Sequence, residues 1–195
     1  LATALIVVFQ PELRRALEKL GERKYISVVM PFDSTKDKGR FSEDTVDGII
    51  DASYIMGKAK TGALIVVEQA IHLTEYEVTG IELDCKISSQ VLVNIFEHNT
   101  PLHDGAVIVR GNRVVSATCY LPLSDSLSLS KDLGTRHRAA VGVSEVSDSL
   151  TIIVSEETGS VSTAYKGQIE HDIDADHLRT QLKLLQNLSL IHISE

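Results

Sequence analysis

The sequence is poor in three things. Basic residues are outnumbered: 19 Lys and Arg stand against 27 Asp and Glu, a formal net charge of -8. That excludes general nucleic-acid binding, which needs a basic face. It leaves room for a small phosphorylated ligand, which a few local arginines suffice to hold. Cysteine is scarce, with Cys85 and Cys119 in apolar surroundings and no CxxC spacing. They read as two reduced, buried thiols in a reducing compartment. Long apolar runs are missing as well. A bilayer span takes about 20 apolar residues, whereas the opening "LATALIVVF" has nine and follows no basic stretch, so it reads as neither a span nor a signal peptide. The chain opens in apolar sequence without Met, so it reads as a fragment of something longer. Motifs are absent too. There is no GxxxxGK[ST] phosphate loop, "GNR" at 111–113 is no dinucleotide fingerprint, and no GxSxG elbow signals acyl transfer.

What is present suits one globular domain: 195 residues, 43% hydrophobic and 24% charged. Residues 3–9 read as a buried strand, Pro11 opens a helix that Gly21 stops, and 22–41 read as mainly loop. Ser42 can cap a helix to about Lys58, with Val46, Ile49, Ile50 and Tyr54 on one face. "GALIVVE" at 62–68 is a continuous apolar run, typical of a central strand. Residues 69–87 are mixed. Ser88 can cap an amphipathic helix through Val91, Leu92, Ile95 and Phe96. Residues 106–110 and 113–120 read as strands joined at "GN", a tight hairpin. A Ser-rich loop follows, then a short helix near Arg136, strands at 150–155 and 160–165, and a closing helix in "DADHLRTQLKLLQ". Interleaved helices with at least two hairpins predict an α/β fold: a mixed central sheet flanked by helices. The domain spans 1–187, and "LSLIHISE" at 188–195, which breaks the helix pattern, is left as an unassigned tail.

Three constellations carry chemistry. In "NTPLHDGAVIVRGN", Asp104-Gly105-Ala106 stands at the mouth of a strand. Gly105 lets a ligand approach the backbone, and Asp104 can take a proton or bind a metal. The stretch reads as a turn, a metal site or an acid–base site. His103 is either a hydrogen-bonded structural histidine or a metal ligand. In "GTRHRAA", Thr135 is a plausible N-cap, and the helix start it marks offers free N–H groups and a positive dipole end. Arg136 and Arg138 add forked donors for phosphate oxygens, with His137 between them. Two arginines oppose the dipole there and call for an anion, unless the segment is a solvated basic turn. In "VSEETG", Glu156 and Glu157 form either a solvated hairpin loop or, brought near Asp104, part of a cation site.

"DGA" followed about thirty residues later by "RHR" resembles the signature pair of the diadenylate cyclase (DAC) domain. "FQPELRRALEKLG", "NIFEHNTPLHDGAVIV", "CYLPLS" and "LGTRHRAAVGVSEVSDSLTIIVSEETG" are similar to the membrane-anchored bacterial type. The resemblance covers roughly residues 3–187 and is weakest around "YISVVMPFDSTKDKG" and the last eight residues. It implies that two ATP become cyclic di-AMP and two pyrophosphates, with a divalent metal (Mg2+, Mn2+ or Co2+), at a face-to-face homodimer. It implies Asp104, Arg136 and Arg138 as catalytic residues. Gly105, Ala106, Tyr120, Leu121, Gly134, Thr135, His137, Ser155 and Glu156 would join the arginines in binding nucleotide, Tyr120 and Leu121 at the adenine and Ser155 at phosphate. Asp104 and Glu157 would hold the metal, with His103 as a further contact. A membrane regulator protein and a phosphoglucosamine mutase are the implied partners. The implied location is the cytosolic face of the bacterial membrane, with N-terminal anchoring helices absent from this sequence. A nucleotide sensor without turnover and a metal-dependent phosphohydrolase are the alternatives.

Overall fold

A computed structural model describes residues 41–126 and 134–191. The strand expected at 3–9, the helix after Pro11, the loop up to residue 40 and the middle of the Ser-rich loop lie outside these residues.

Helix α1 (Glu43–Ala59) begins as the sequence predicts. Ser42 Oγ accepts the Thr45 N–H at 3.2 Å, and Glu43 and Asp44 place negative charge on the positive end of the dipole. It ends at Lys60, which takes a left-handed turn (φ 55). Strand β1 (Ala63–Val67) is buried along its whole length. The mixed stretch that follows holds a short helix, α2 (Thr74–Glu77), and a strand, β2 (Ile81–Lys86). Helix α3 (Ser89–Ile95) starts at Ser88, whose Oγ accepts the Val91 N–H. Strands β3 (Ala106–Arg110) and β4 (Arg113–Cys119) form the expected hairpin. Helix α4 (Thr135–Val146), strands β5 (Leu150–Val154), β6 (Val161–Tyr165) and β7 (Gln168–Glu170), and helix α5 (Ala175–Ile191) complete the order. Helix α5 runs into the segment that the sequence pattern sets aside from residue 188.

The strands make one seven-stranded sheet in the order β2-β4-β3-β1-β5-β6-β7. It is mixed, as expected: β1 and β3 are parallel, and the other neighbouring pairs are antiparallel. Side chains alternate across the faces. Ala63, Ile65 and Val67 of β1 pack with Val46, Ile49 and Met56 of α1, Leu92 and Ile95 of α3, and Leu178 and Leu182 of α5. Leu64 and Val66 face the other way, toward Ala139, Ala140, Val141 and Val143 of α4. Helices therefore cover both faces.

The register decides where the chemistry falls. Ala63 pairs with Val154, and Ala106 with Cys119. The starts of β1 and β3 and the ends of β4 and β5 consequently share one edge of the sheet.

Candidate active site

A cavity of about 690 Å3 opens at that edge. Asp104 and Gly105 enter it ahead of β3, Tyr120 and Leu121 after β4, Gly134, Thr135, Arg136 and His137 from the start of α4, and Ser155, Glu156 and Glu157 from the β5–β6 turn. Segments far apart in sequence thus meet at one wall. Ala106, fully buried in β3, is not part of the lining; nor are His103 and Arg138.

Gly105 is forced by its surroundings. Its φ is +96, and a Cβ there would stand 2.8 Å from the Thr118 carbonyl carbon. Thr118 is itself left-handed (φ 57), where the β3–β4 register shifts. Close approach of strand β4, and not of a ligand alone, demands the glycine. The bend leaves Asp104 exposed at the cavity mouth. Among the described residues its carboxylate has no hydrogen-bond or ion-pair partner.

The helix start differs by one residue from the expectation. Gly134, extended at φ -67 and ψ 171, is the N-cap, and Thr135 is the first helical residue. Glycine has no oxygen to cap with, so no side chain satisfies the first-turn N–H groups, and these open on the cavity. Arg136 is paired: its Nη1 donates to Glu156 Oε2 at 2.6 Å. The anion called for by an arginine at a dipole's positive end is thus a carboxylate from the neighbouring turn. Arg138 sits one position beyond His137, its carbonyl accepting the Ser124 N–H.

The β5–β6 turn holds itself in shape. Ser155 Oγ accepts the Thr158 N–H at 3.2 Å, and the Ser155 carbonyl accepts the Gly159 N–H at 2.9 Å. Glu156 and Glu157 stay exposed on the loop.

His171, which follows β7, also reaches the cavity, and sequence reading missed it. Its ring lies 6.0 Å from that of His137. Burial pushes the His137 imidazole below its ordinary pKa, and His171 pushes it the same way, while Glu157 opposes both. No motif signals His171. A lone histidine between a short strand and a helix looks like any surface residue.

A divalent cation is compatible with this donor set. Asp104 and Glu157 supply hard carboxylate oxygens to the same cavity, whereas no group of three or more His, Cys, Asp and Glu able to hold a metal exists among the described residues. One or two carboxylates suit a cation that completes its shell with substrate phosphates and water. His103 Nδ1 donates to the Thr100 carbonyl at 2.6 Å, which leaves its Nε2 with a lone pair, the tautomer a metal-binding histidine needs.

The family described as "DisA bacterial checkpoint controller nucleotide-binding" matches residues 50–169. The chain is 50% identical over 181 residues to the cyclic di-AMP synthase CdaA of Bacillus subtilis, covering 92% of this chain and 64% of that relative. It therefore spans less than two thirds of the relative's length. A crystal structure of a double mutant of DacA from Staphylococcus aureus superposes with a TM-score of 0.72 at 46% identity, covering 74% of this chain and 96% of that one. The structure of a hypothetical membrane spanning protein from Bacillus cereus gives 0.66 at 36% identity, covering 87% of this chain and 80% of that one.

Proposed function

The chain belongs to the DisA-type DAC nucleotide-binding family, and on that footing we propose that it is a diadenylate cyclase, condensing two ATP into cyclic di-AMP with release of two pyrophosphates. The observation that carries the reading is the convergence of Asp104, the uncapped start of α4 with Arg136, and the Ser155–Glu157 turn on one cavity. The naming of the Bacillus subtilis relative supports it. Residues 1–187 are the proposed catalytic domain, with 188–195 outside it.

The reaction joins the ribose 3′-oxygen of one ATP to the α-phosphorus of the other, while the bond from that phosphorus to pyrophosphate breaks. It happens twice. Asp104 acts on the ribose hydroxyl as general base or metal-assisted activator. Arg136, Arg138, His137 and the N–H groups of Gly134 and Thr135 grip the triphosphate and stabilise charge on the departing pyrophosphate. Ser155 meets phosphate, and Glu156 contributes to the nucleotide site as the partner that holds Arg136. Gly105 brings backbone against the nucleotide with the buried Ala106 directly behind it, and Tyr120 and Leu121 pack on the adenine. Asp104 and Glu157, with His103 as a further contact, would hold a divalent cation (Mg2+, Mn2+ or Co2+), which would neutralise charge and lower the hydroxyl pKa.

Two ATP must face each other, and a two-fold homodimer with one nucleotide per subunit meets that need. The proposed setting is the cytosolic face of a bacterial membrane, with anchoring helices preceding this stretch. The Bacillus cereus neighbour, described as membrane spanning, supports that placement. No helix of the described residues is long and apolar enough to cross a membrane. A membrane regulator and a phosphoglucosamine mutase are the proposed partners.

Mass spectrometry of the products after incubation with ATP and Mg2+, Mn2+ or Co2+ separately tests the reading. Cyclic di-AMP is expected. Unchanged ATP from folded, dimeric protein would point to the sensor, and ADP or AMP to a phosphohydrolase.

A further inference from the structure

The connection between α1 and β1 belongs to no motif, yet it backs the site. A methyl group on Gly62 would stand 2.7 Å from Nη1 and 2.9 Å from Cζ of Arg136, and 3.0 Å from Oε2 of Glu156. Real Cβ atoms essentially never approach below 3.0 Å. Gly62 is not in the left-handed region, so its backbone accepts alanine. Space calls for glycine as long as these flexible side-chain tips keep their places. The atoms it makes room for are the tips of the two side chains that form the 2.6 Å ion pair of the cavity wall. One turn earlier, Gly57 and Gly159 touch backbone to backbone. A Cβ on Gly57 would lie 2.5 Å from the Gly159 oxygen, and one on Gly159 would lie 2.2 Å from the Gly57 oxygen. That contact seats the turn carrying Glu156 against the end of α1.

We infer that Gly62 is a positioning residue for the nucleotide: its missing side chain gives the Arg136 guanidinium the room to exchange the Glu156 carboxylate for phosphate oxygens. This rests on the ATP reading above. Before nucleotide arrives, Arg136 sits at the positive end of the α4 dipole, where Glu156 offsets its charge. A polyphosphate competes for the same fork of donors. A methyl group at position 62 pushes the fork from its pair with Glu156, because the side-chain tips yield before the sheet start beneath it does, and it narrows the space left for a turn toward phosphate.

The test is Gly62→Ala, read by calorimetry with α,β-methylene-ATP, which cannot release pyrophosphate. Binding is expected to weaken on the order of tenfold, the loss of a charge-assisted hydrogen bond, with an unchanged melting temperature. In an Arg136→Lys background, where the fork is gone, Gly62→Ala is expected to add no further loss. Equal binding by Gly62→Ala and wild type, or the same loss in both backgrounds, overturns the inference while leaving the ATP reading intact. A wild-type chain that binds no analogue removes the ATP reading instead. A crystal structure of Gly62→Ala without nucleotide adds a second readout: a displaced Arg136 with the Glu156 pair broken is expected, and an unmoved pair refutes the inference.

Discussion

Glu68 and Asp104 are both carboxylates at strand ends, and their surroundings give them opposite tasks. Glu68 follows β1 and is 3% exposed. It accepts from Arg110 Nε at 2.6 Å and Nη2 at 2.9 Å, from His72 Nδ1 at 2.5 Å, and from the Leu73 N–H at 3.1 Å. Burial pushes its pKa up, but these donors outweigh it, so the carboxyl titrates below its ordinary value. The sign then follows. A depressed folded pKa contributes stability that is present above the unfolded value, about 4.3, and is lost as pH falls through the folded one. Glu68→Gln is expected to cost about 1–2 kcal/mol at neutral pH, since it removes the charged acceptor of several donors while the partly exposed Arg110 keeps its pair with Glu77. It should also flatten the acid limb of stability against pH. Denaturant titrations from pH 3 to 7 check this, and an unaltered acid limb would count against it. Asp104 has no such donors, so its charge is uncommitted. Asp104→Asn keeps the shape and loses the base. Cyclisation is expected to vanish while affinity for the methylene analogue stays within a few-fold, measured by product analysis and calorimetry side by side; near-normal turnover would remove Asp104 from its role.

Elements built on a continuous apolar run or on a capping side chain are the ones legible in the sequence. Strand β1 and helices α1 and α3 declare themselves that way, through "GALIVVE", Ser42 and Ser88. Strands β2 and β7 do not. They are the outermost strands among the described residues and mostly solvated. "IELDCK" does alternate apolar and polar residues, a strand signal that the reading of 69–87 as mixed passes over, whereas "QIE" is too short to show a period. The same limit applies to the site. "DGA" and "RHR" announce themselves by residue type, whereas His171 and Gly62 matter only through what the fold sets beside them. Asn112 is a mixed case. "GN" marks a hairpin, as found, but the asparagine does more than turn the chain. Its Oδ1 accepts the Ser42 N–H at 2.7 Å and the Thr45 hydroxyl at 2.8 Å, tying the β3–β4 turn to the start of α1. Asn112→Ala should therefore destabilise by about 1 kcal/mol, because it leaves the Ser42 N–H unpaired and the Thr45 hydroxyl with only Ser42 Oγ at 3.1 Å. Gly tolerance alone would predict a neutral change at a turn. Thermal unfolding distinguishes the two, and a shift of less than about a degree would mean the tie is idle.

At the scale of the molecule, the proposed reaction would ask for more than one chain. Each bond needs a hydroxyl from one nucleotide and an α-phosphate from another, yet each cavity carries one Asp104 and one start of α4. Tyr120 and Leu123 stand 71% and 52% exposed on the cavity rim, where a second copy would cover them. If two sites face across a two-fold axis, each Asp104 serves one of the two bonds. A dimer with a single Asp104→Asn subunit then closes one phosphodiester and stalls at the linear dinucleotide. Mixing wild-type and Asp104→Asn chains in equal amounts, under conditions of subunit exchange, leaves half of the wild-type chains in fully competent pairs. Cyclic di-AMP per wild-type chain should drop to about half, with linear triphosphorylated diadenylate appearing in step. Dilution should lower output per chain in the same manner, because a lone subunit binds ATP without a partner to receive it. Constant output per wild-type chain across both series would show that one chain completes the cycle alone, and the face-to-face arrangement would have to be given up.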